Sequence, residues 1–156
     1  MDLLRCIAVS NTSVHLVTED AAIVALAGAL RRVAVLGIKT DAQSDQPAYY
    51  VSRYLVDAGV EVVPVPVYYP EVTTILGQPV VRDLTKVGPV DAVIVFRRSA
   101  DLPTHVEALL ALRPKAVWMQ QGISHAEAAR KLSEAGIDVV QDRCVMVDHR
   151  RAHSAG

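Results

Sequence analysis

Five short segments hold the side chains best suited to binding or transforming a ligand. They are Gly37-Ile38-Lys39-Thr40, Pro64-Val65-Pro66, Phe96-Arg97-Arg98-Ser99, Gln120-Gln121-Gly122 and Asp142-Arg143-Cys144. The first and third suit phosphate. A glycine at position 37 lets backbone come close to a ligand, and a helix starting beyond it presents unpaired N–H groups to an anion. Arg97 and Arg98 offer planar donor pairs that match phosphate oxygens. The plainer alternative is that Gly37 only turns the chain and the arginines pair with surface acids. Convergence of both arginines on the edge that Gly37 occupies weighs against it.

A dinucleotide is the first competitor for such a turn. Its fingerprint needs G-x-G-x-x-G after the first strand and an acid ending the second, to hold the ribose. Here a single glycine stands after the strand, and Pro64 takes the place of the acid. That argues against NAD and leaves room for a ribose that carries a phosphate. No Ser/His/Asp set and no HExxH pattern occurs among the five histidines. His125 reads as the solvated second residue of a helix, and Asp142-Arg143 as a local ion pair. Cys144 has a cationic neighbour that could activate a thiol, but reads as buried and inert. Trp118 lies in an apolar run and reads as core.

Each of the five segments follows a short apolar run. Val33–Leu36, Val60–Val63, Asp91–Phe96, Ala116–Met119 and Ile137–Val140 have the length and composition of strands buried on both faces. Helical spacing fills the gaps. Thr18 is a candidate cap for a helix closed by Arg31-Arg32, and Pro47 suits the first turn of a helix ended by Gly59. Another helix runs from about Asp101 to Leu112, and Ser124 with Glu127 forms a capping box for one ending at Gly136. Tyr68 to Pro89 reads as loop, with one helical turn around Arg82–Lys86. Val60–Val63 is expected to stop at Pro64. Repeated strand–helix units of this kind predict an α/β, three-layer, Rossmann-like domain. Its doubly wound parallel sheet has about five strands, with helices on both faces and ligands at the C-terminal strand ends.

With 156 residues, 51% apolar and 21% charged, the chain can bury the core of one domain. Residues 18–151 form that domain, residues 1–17 an extension without clear period, and residues 152–156 a tail. Sixteen basic against 17 acidic residues give a net charge of −1. No basic patch for nucleic acid is present beyond His149-Arg150-Arg151, read as solvated chain end. Cys6 and Cys144 are too far apart in sequence for a disulfide scaffold or a zinc motif. No run reaches membrane-span length and the first residues do not form a signal peptide, so a cytoplasmic protein is expected.

In sequence order, Val35-Leu36-Gly37, Pro47-Ala48-Tyr49-Tyr50-Val51, Val63-Pro64-Val65, Val95-Phe96-Arg97-Arg98, Val117-Trp118-Met119-Gln120-Gln121-Gly122-Ile123 and Asp142-Arg143-Cys144 form a series of blocks. Ala111-Leu112-Arg113-Pro114 precedes the fourth strand. From about Val33 to Arg151 the chain resembles the small stand-alone CoA-binding proteins. These are similar to the CoA-binding domain of the succinyl-CoA synthetase alpha subunit. The resemblance implies that Gly37, Ile38, Lys39 and Thr40 meet the phosphates of coenzyme A. It implies Pro64 and Val65 beside the adenosine, Phe96 with Arg97 along the nucleotide, and Gln121 and Gly122 toward the pantetheine arm. Arg98 and Tyr49, from the matched blocks, are counted among the binding residues. The synthetase's phosphohistidine belongs to a domain with no counterpart in this stretch, so ligase chemistry is not implied. Two departures touch the site: Pro66 replaces an asparagine usual in the family, and the loop after Gly37 is longer.

Three functions follow as expectations. The first is non-catalytic binding of coenzyme A or an acyl-CoA. The second is a nucleotide-dependent enzyme or NAD(P)-binding oxidoreductase or sensor. The third is a regulatory protein acting through a partner. Homodimerisation is compatible with a small domain of this kind.

Overall fold

The computed structural model describes residues 15–154. The expectations for Cys6 and for most of the N-terminal extension lie outside the described residues. Helix α1 spans Asp20–Gly28 and leads into strand β1, Arg32–Leu36. Helix α2 (Pro47–Asp57), strand β2 (Glu61–Val65) and a short ribbon, β3 (Thr74–Ile75) and β4 (Gln78–Pro79), follow. Then come β5 (Ala92–Val95), α3 (Pro103–Leu112), β6 (Ala116–Met119), α4 (Ala126–Glu134), β7 (Asp138–Val140) and α5 (Val145–Ser154). The main sheet has five parallel strands in the order β2-β1-β5-β6-β7. This is the expected α/β Rossmann-like architecture.

Alternation along each strand feeds two cores. Ala34, Leu36, Val93, Val95, Val117 and Met119 face α3 and α4 through Val106, Leu109, Ala129 and Leu132. Val33, Val35, Ile94 and Trp118 face the other way, toward Ile23 and Ala27 of α1, Val51 and Leu55 of α2, and Val145 of α5. Strands covered on both faces need no polar alternation, which is why their sequences are uninterrupted apolar runs. Trp118 is fully buried, and its indole N–H donates to the Arg143 carbonyl at 2.8 Å. The chain leaves β1 toward β2 and returns to β5 on β1's other side. Loops leaving β1 and β5 therefore diverge to opposite faces, and a crevice opens between their C-terminal ends.

Several local expectations change. Strand β2 does not stop at Val63 but runs through Pro64 to Val65. Glu61 N–H donates to Arg31 and Val65 accepts from Gly37, so alternate residues address β1. Pro64 belongs to the outward set, where no strand needs its missing N–H, and its carbonyl accepts from Val81 at 2.9 Å. Within the expected loop, Leu76 and Gly77 both take positive φ, 52° and 74°, and turn β3 into β4. The helical turn expected at Arg82–Lys86 is a 3-10 turn at Leu84–Lys86, capped by Asp83.

Helix α1 is not closed by Arg31-Arg32. It ends at Gly28, and Arg32 starts β1, where its guanidinium reaches the carbonyls of Val87 and Pro89. Its N-cap is Glu19 rather than Thr18. Gly28 lets α5 come close, because a Cβ there would lie 2.6 Å from that of Ala152. The capping box at Ser124 and Glu127 does not form. His125 is the N-cap of α4, its Nδ1 accepting from Ala128 N–H at 3.0 Å, while its own N–H donates to Gln141. Ser124 N–H instead donates to Ser99 Oγ at 3.1 Å, and Glu127 pairs with Arg130.

The basic segment near the C-terminus is helix α5, not a solvated end, and residues 152–154 continue it. Arg143 does not pair with Asp142. It binds Asp148 with two donors, at 3.0 and 2.8 Å, and also reaches Asp20 at 2.8 Å. Arg151 holds the same two carboxylates, joining α1, α5 and the β7 exit. Along the same edge strand Leu16 bridges Val139 in parallel, and Val17 N–H donates to Val139 O at 2.9 Å.

His149, 4% exposed, is held by the Tyr54 hydroxyl at 2.8 Å, and its ring lies 4.3 Å from that of His153. Burial and then the neighbouring His153 lower its pKa. Burial and Arg97 do the same to His105. A histidine depressed on folding takes its proton first in the unfolded chain, so its stabilising contribution is present above about pH 6.5 and lost as pH falls below it. The urea midpoint is expected to drop between about pH 7 and 5.5, and to drop less in His149→Gln. An identical pH slope in that variant would remove His149 from the explanation.

Candidate functional site

Gly37 has φ +86°, which favours glycine, and a Cβ there would lie 2.3 Å from the Phe96 carbonyl oxygen. The β1 and β5 exits thus close on each other at the base of the crevice. Above them lies a cavity of about 610 Å³, a size suited to a nucleotide ligand. Lys39 enters from the loop after β1, and Phe96, Arg97, Arg98 and Ser99 from the exit of β5. Gln120, Gln121, Gly122 and Ile123 enter from the exit of β6, and Cys144 from beyond β7. The first turn of α2 forms the remaining wall with Gln46, Pro47, Ala48, Tyr50 and Val51. Pro47 presets the helix, whose opening amides carry the positive end of its dipole.

Three cations and no carboxylate line this cavity. The Nζ of Lys39 lies 3.4 Å from the Tyr69 hydroxyl and 5.8 Å from the ring centres of Tyr68 and Tyr69. The guanidinium of Arg97 lies 5.7 Å from the Tyr68 ring centre. Arg97 also pairs with Asp101 at 3.3 Å, and its Nε donates to His105 Nε2 at 3.3 Å. Its side chain is 15% exposed, against 84% for Arg98, whose partner is the same Asp101. Arg97 is therefore half-enclosed and held from several sides, while Arg98 lies in solvent, paired with Asp101. Arg97 lowers the pKa of the Tyr68 phenol. Arg82 anchors the tyrosine loop by donating to the carbonyls of Tyr68, Tyr69 and Val72.

Of the residues expected at the ligand, Lys39, Phe96, Arg97, Arg98, Gln121 and Gly122 meet in this lining. The other six lie outside it and shape the frame. Ile38 is buried at 1% exposure, and Thr40 caps a 3-10 turn at Asp41–Gln43 in a reciprocal box with Gln43. Tyr49 is buried and donates to Asp41 at 2.8 Å, which raises the phenol's pKa. Gly37, Pro64 and Val65 belong to the strand ends beneath.

The sequence pointed to no site role for the α2 wall or Ile123, and it placed Ser99, Gln120 and Cys144 in the strand-end segments without assigning them to the ligand. Pro47 at a helix start was the readable signal for the α2 wall, since helix openings facing strand ends are anion sites. Gln120 is 4% exposed; its Oε1 accepts from Val145 N–H at 2.9 Å, and its amide nitrogen faces Cys144 Sγ at 3.8 Å. Cys144 is half-buried at the cavity wall rather than shut in the core. Asp142 takes φ 57°, and its Oδ1 accepts from Gly122 N–H at 2.6 Å. Among the described residues no cluster of His, Cys, Asp and Glu could hold a metal, and no helix is long and apolar enough to cross a membrane.

Comparison with known proteins gives consistent matches. The family described as CoA binding domain matches residues 31–150. The Bacillus subtilis (strain 168) protein YneT is 38% identical over 120 residues, covering 76% of this chain and 85% of its own length. Among solved structures, the cell-free ID.343 protein from Thermus thermophilus is 40% identical with a TM-score of 0.77, covering 86% of this chain and 99% of that one. A hypothetical protein from Pyrococcus horikoshii OT3 is 26% identical with a TM-score of 0.76, covering 87% and 93% respectively.

Proposed function

The chain belongs to the CoA-binding domain family, and from that premise we propose that it binds coenzyme A or an acyl-CoA without transforming it. The observation that carries this reading is the lining of the crevice, with three cations, a helix N-terminus and no carboxylate. Lys39, Arg97 and Arg98 receive the phosphates together with the opening amides of α2. The pantetheine arm then runs past Gln120, Gln121 and Gly122, whose amide groups match its own, and its thiol end lies toward Cys144. Support for a non-catalytic role is that neither a histidine nor a carboxylate stands in the lining to exchange protons with a ligand. A dinucleotide is disfavoured because β2 ends in Pro64-Val65, with no acid for the ribose hydroxyls.

Calorimetric titration with CoA, dephospho-CoA and NAD tests the proposal. CoA is expected to bind most tightly and dephospho-CoA about tenfold more weakly, the worth of one charge-assisted contact. NAD is expected to be weakest. Absence of CoA binding below millimolar concentration, or NAD binding as tightly as CoA, would overturn it.

A further inference from the structure

A second cavity of about 380 Å³ adjoins the first, and Gln121 and Cys144 line both. It lies beyond β7, further along the row of strand ends, between the β7 exit, α5 and the start of α1. Its remaining walls are Asp20, Asp142, Arg143, Val147, Asp148 and Arg151. A ligand whose phosphates sit over Lys39 and Arg97 and whose arm follows Gln121 is therefore carried toward this chamber. We propose that the bound ligand is an acyl-CoA with a short, hydroxylated acyl group, and that this second chamber holds the group. The inference rests on the CoA reading above and specifies what that site selects.

The walls decide the chemistry. Val147 is their single apolar side chain larger than cysteine, so an alkyl chain finds little surface to bury against. Three carboxylates stand against two guanidinium groups, which leaves the chamber one charge negative and repels an acyl group ending in a carboxylate. Asp20 and Asp148 are each shared between Arg143 and Arg151, so neither arginine is a lone cation waiting for an anion. Asp142 is exposed and spends one carboxylate oxygen on the Gly122 N–H. What suits such a wall is a neutral group that can donate to the remaining Asp142 oxygen, and a hydroxyl is the smallest that does so. With Val147 the one apolar wall residue larger than cysteine, a longer alkyl chain gains little by entering, which favours a short acyl group.

Binding of CoA, butyryl-CoA, 3-hydroxybutyryl-CoA, succinyl-CoA and octanoyl-CoA to the full chain distinguishes the outcomes. The hydroxybutyryl thioester is expected to bind about tenfold more tightly than butyryl-CoA, in line with a hydrogen bond to a charged group. Succinyl-CoA and octanoyl-CoA are expected to bind more weakly than butyryl-CoA. Asp142→Asn keeps the oxygen that accepts from Gly122 and suits the positive φ. It removes the excess charge, so the gap between succinyl-CoA and butyryl-CoA should narrow. If CoA binds but butyryl and hydroxybutyryl thioesters bind equally, or octanoyl-CoA binds best, the chamber assignment is wrong while the CoA reading stands. If none of the five binds, both fall.

Discussion

Gly37→Ala is expected to destabilise the folded chain by about 3 kcal/mol and to lower its melting temperature by roughly 6–12 °C. Two costs add. A residue with a side chain at φ +86° loses about 1–2 kcal/mol to its own backbone. The new methyl would also stand 2.3 Å from the Phe96 carbonyl oxygen, which has little room to retreat. Phe96 N–H donates to Leu36 O at 2.9 Å, and Gly37 N–H donates to Val65 O at 2.9 Å, so both strand ends are tied into the sheet. Forcing them apart costs about 1–3 kcal/mol and moves Arg97, whose Cδ would lie 3.2 Å from the same methyl. Gly59 supplies the internal control, with φ +92° and no atom within 4 Å of an added Cβ. Gly59→Ala should show the backbone cost alone, about 1 kcal/mol. Thermal unfolding of both variants decides the matter. Equal losses would mean that the approach of β1 to β5 is soft, and that Gly37 serves only its own turn.

That role of Gly37 marks how far the sequence could be read. The strands were legible because a sheet covered on both faces demands uninterrupted apolar runs, and Ala116–Met119 matches its predicted bounds. The parallel, doubly wound arrangement followed from the repeated units and their handedness. The glycine itself was visible, but its partner was not. Phe96 is 59 residues away in sequence, and no local rule indicates that its carbonyl fills the space a Cβ would need. The same limit explains His125. Ser124 and Glu127 have the spacing of a capping box, yet contacts with Ser99 and Gln141 from other loops settle the cap one residue later. Pro64 misled for a related reason: whether a missing N–H stops a strand depends on which neighbour that residue faces.

The site divides along the same line. Residues directly after strands were readable as ligand-facing, since the architecture puts loops there whatever their composition. Lys39, Phe96, Arg97, Arg98, Gln121 and Gly122 entered the cavity for that reason. Residues that support it from behind were not separable from them by position. Thr40 lies in the same loop as Lys39, and Tyr49 in the first turn of α2 beyond it, but they spend their polar groups on Gln43 and Asp41. Likewise Arg97 and Arg98 are identical in type and adjacent in sequence. Only the folded chain distinguishes an enclosed, clamped arm from an exposed one.

The distinction has a measurable consequence. Arg97→Ala is expected to weaken CoA binding about 50- to 100-fold, whereas Arg98→Ala weakens it by less than about threefold. Arg97 is held by Asp101, His105 and the Tyr68 ring, so binding a phosphate costs it little rotamer freedom. Arg98, at 84% exposure, must be immobilised from solution and is screened by salt. Arg97→Lys keeps the charge but loses the two-pronged geometry, and an intermediate loss of about tenfold is expected. The fold should survive each change, because Asp101 retains one arginine in either single variant. Circular dichroism melts would establish that, and titrations at one fixed ionic strength would give the affinities. Loss of affinity shared equally between the two alanine variants would show that charge alone recruits the ligand. Unchanged affinity in Arg97→Ala would remove phosphate from this end of the crevice, and the clamp around Arg97 would then be structural.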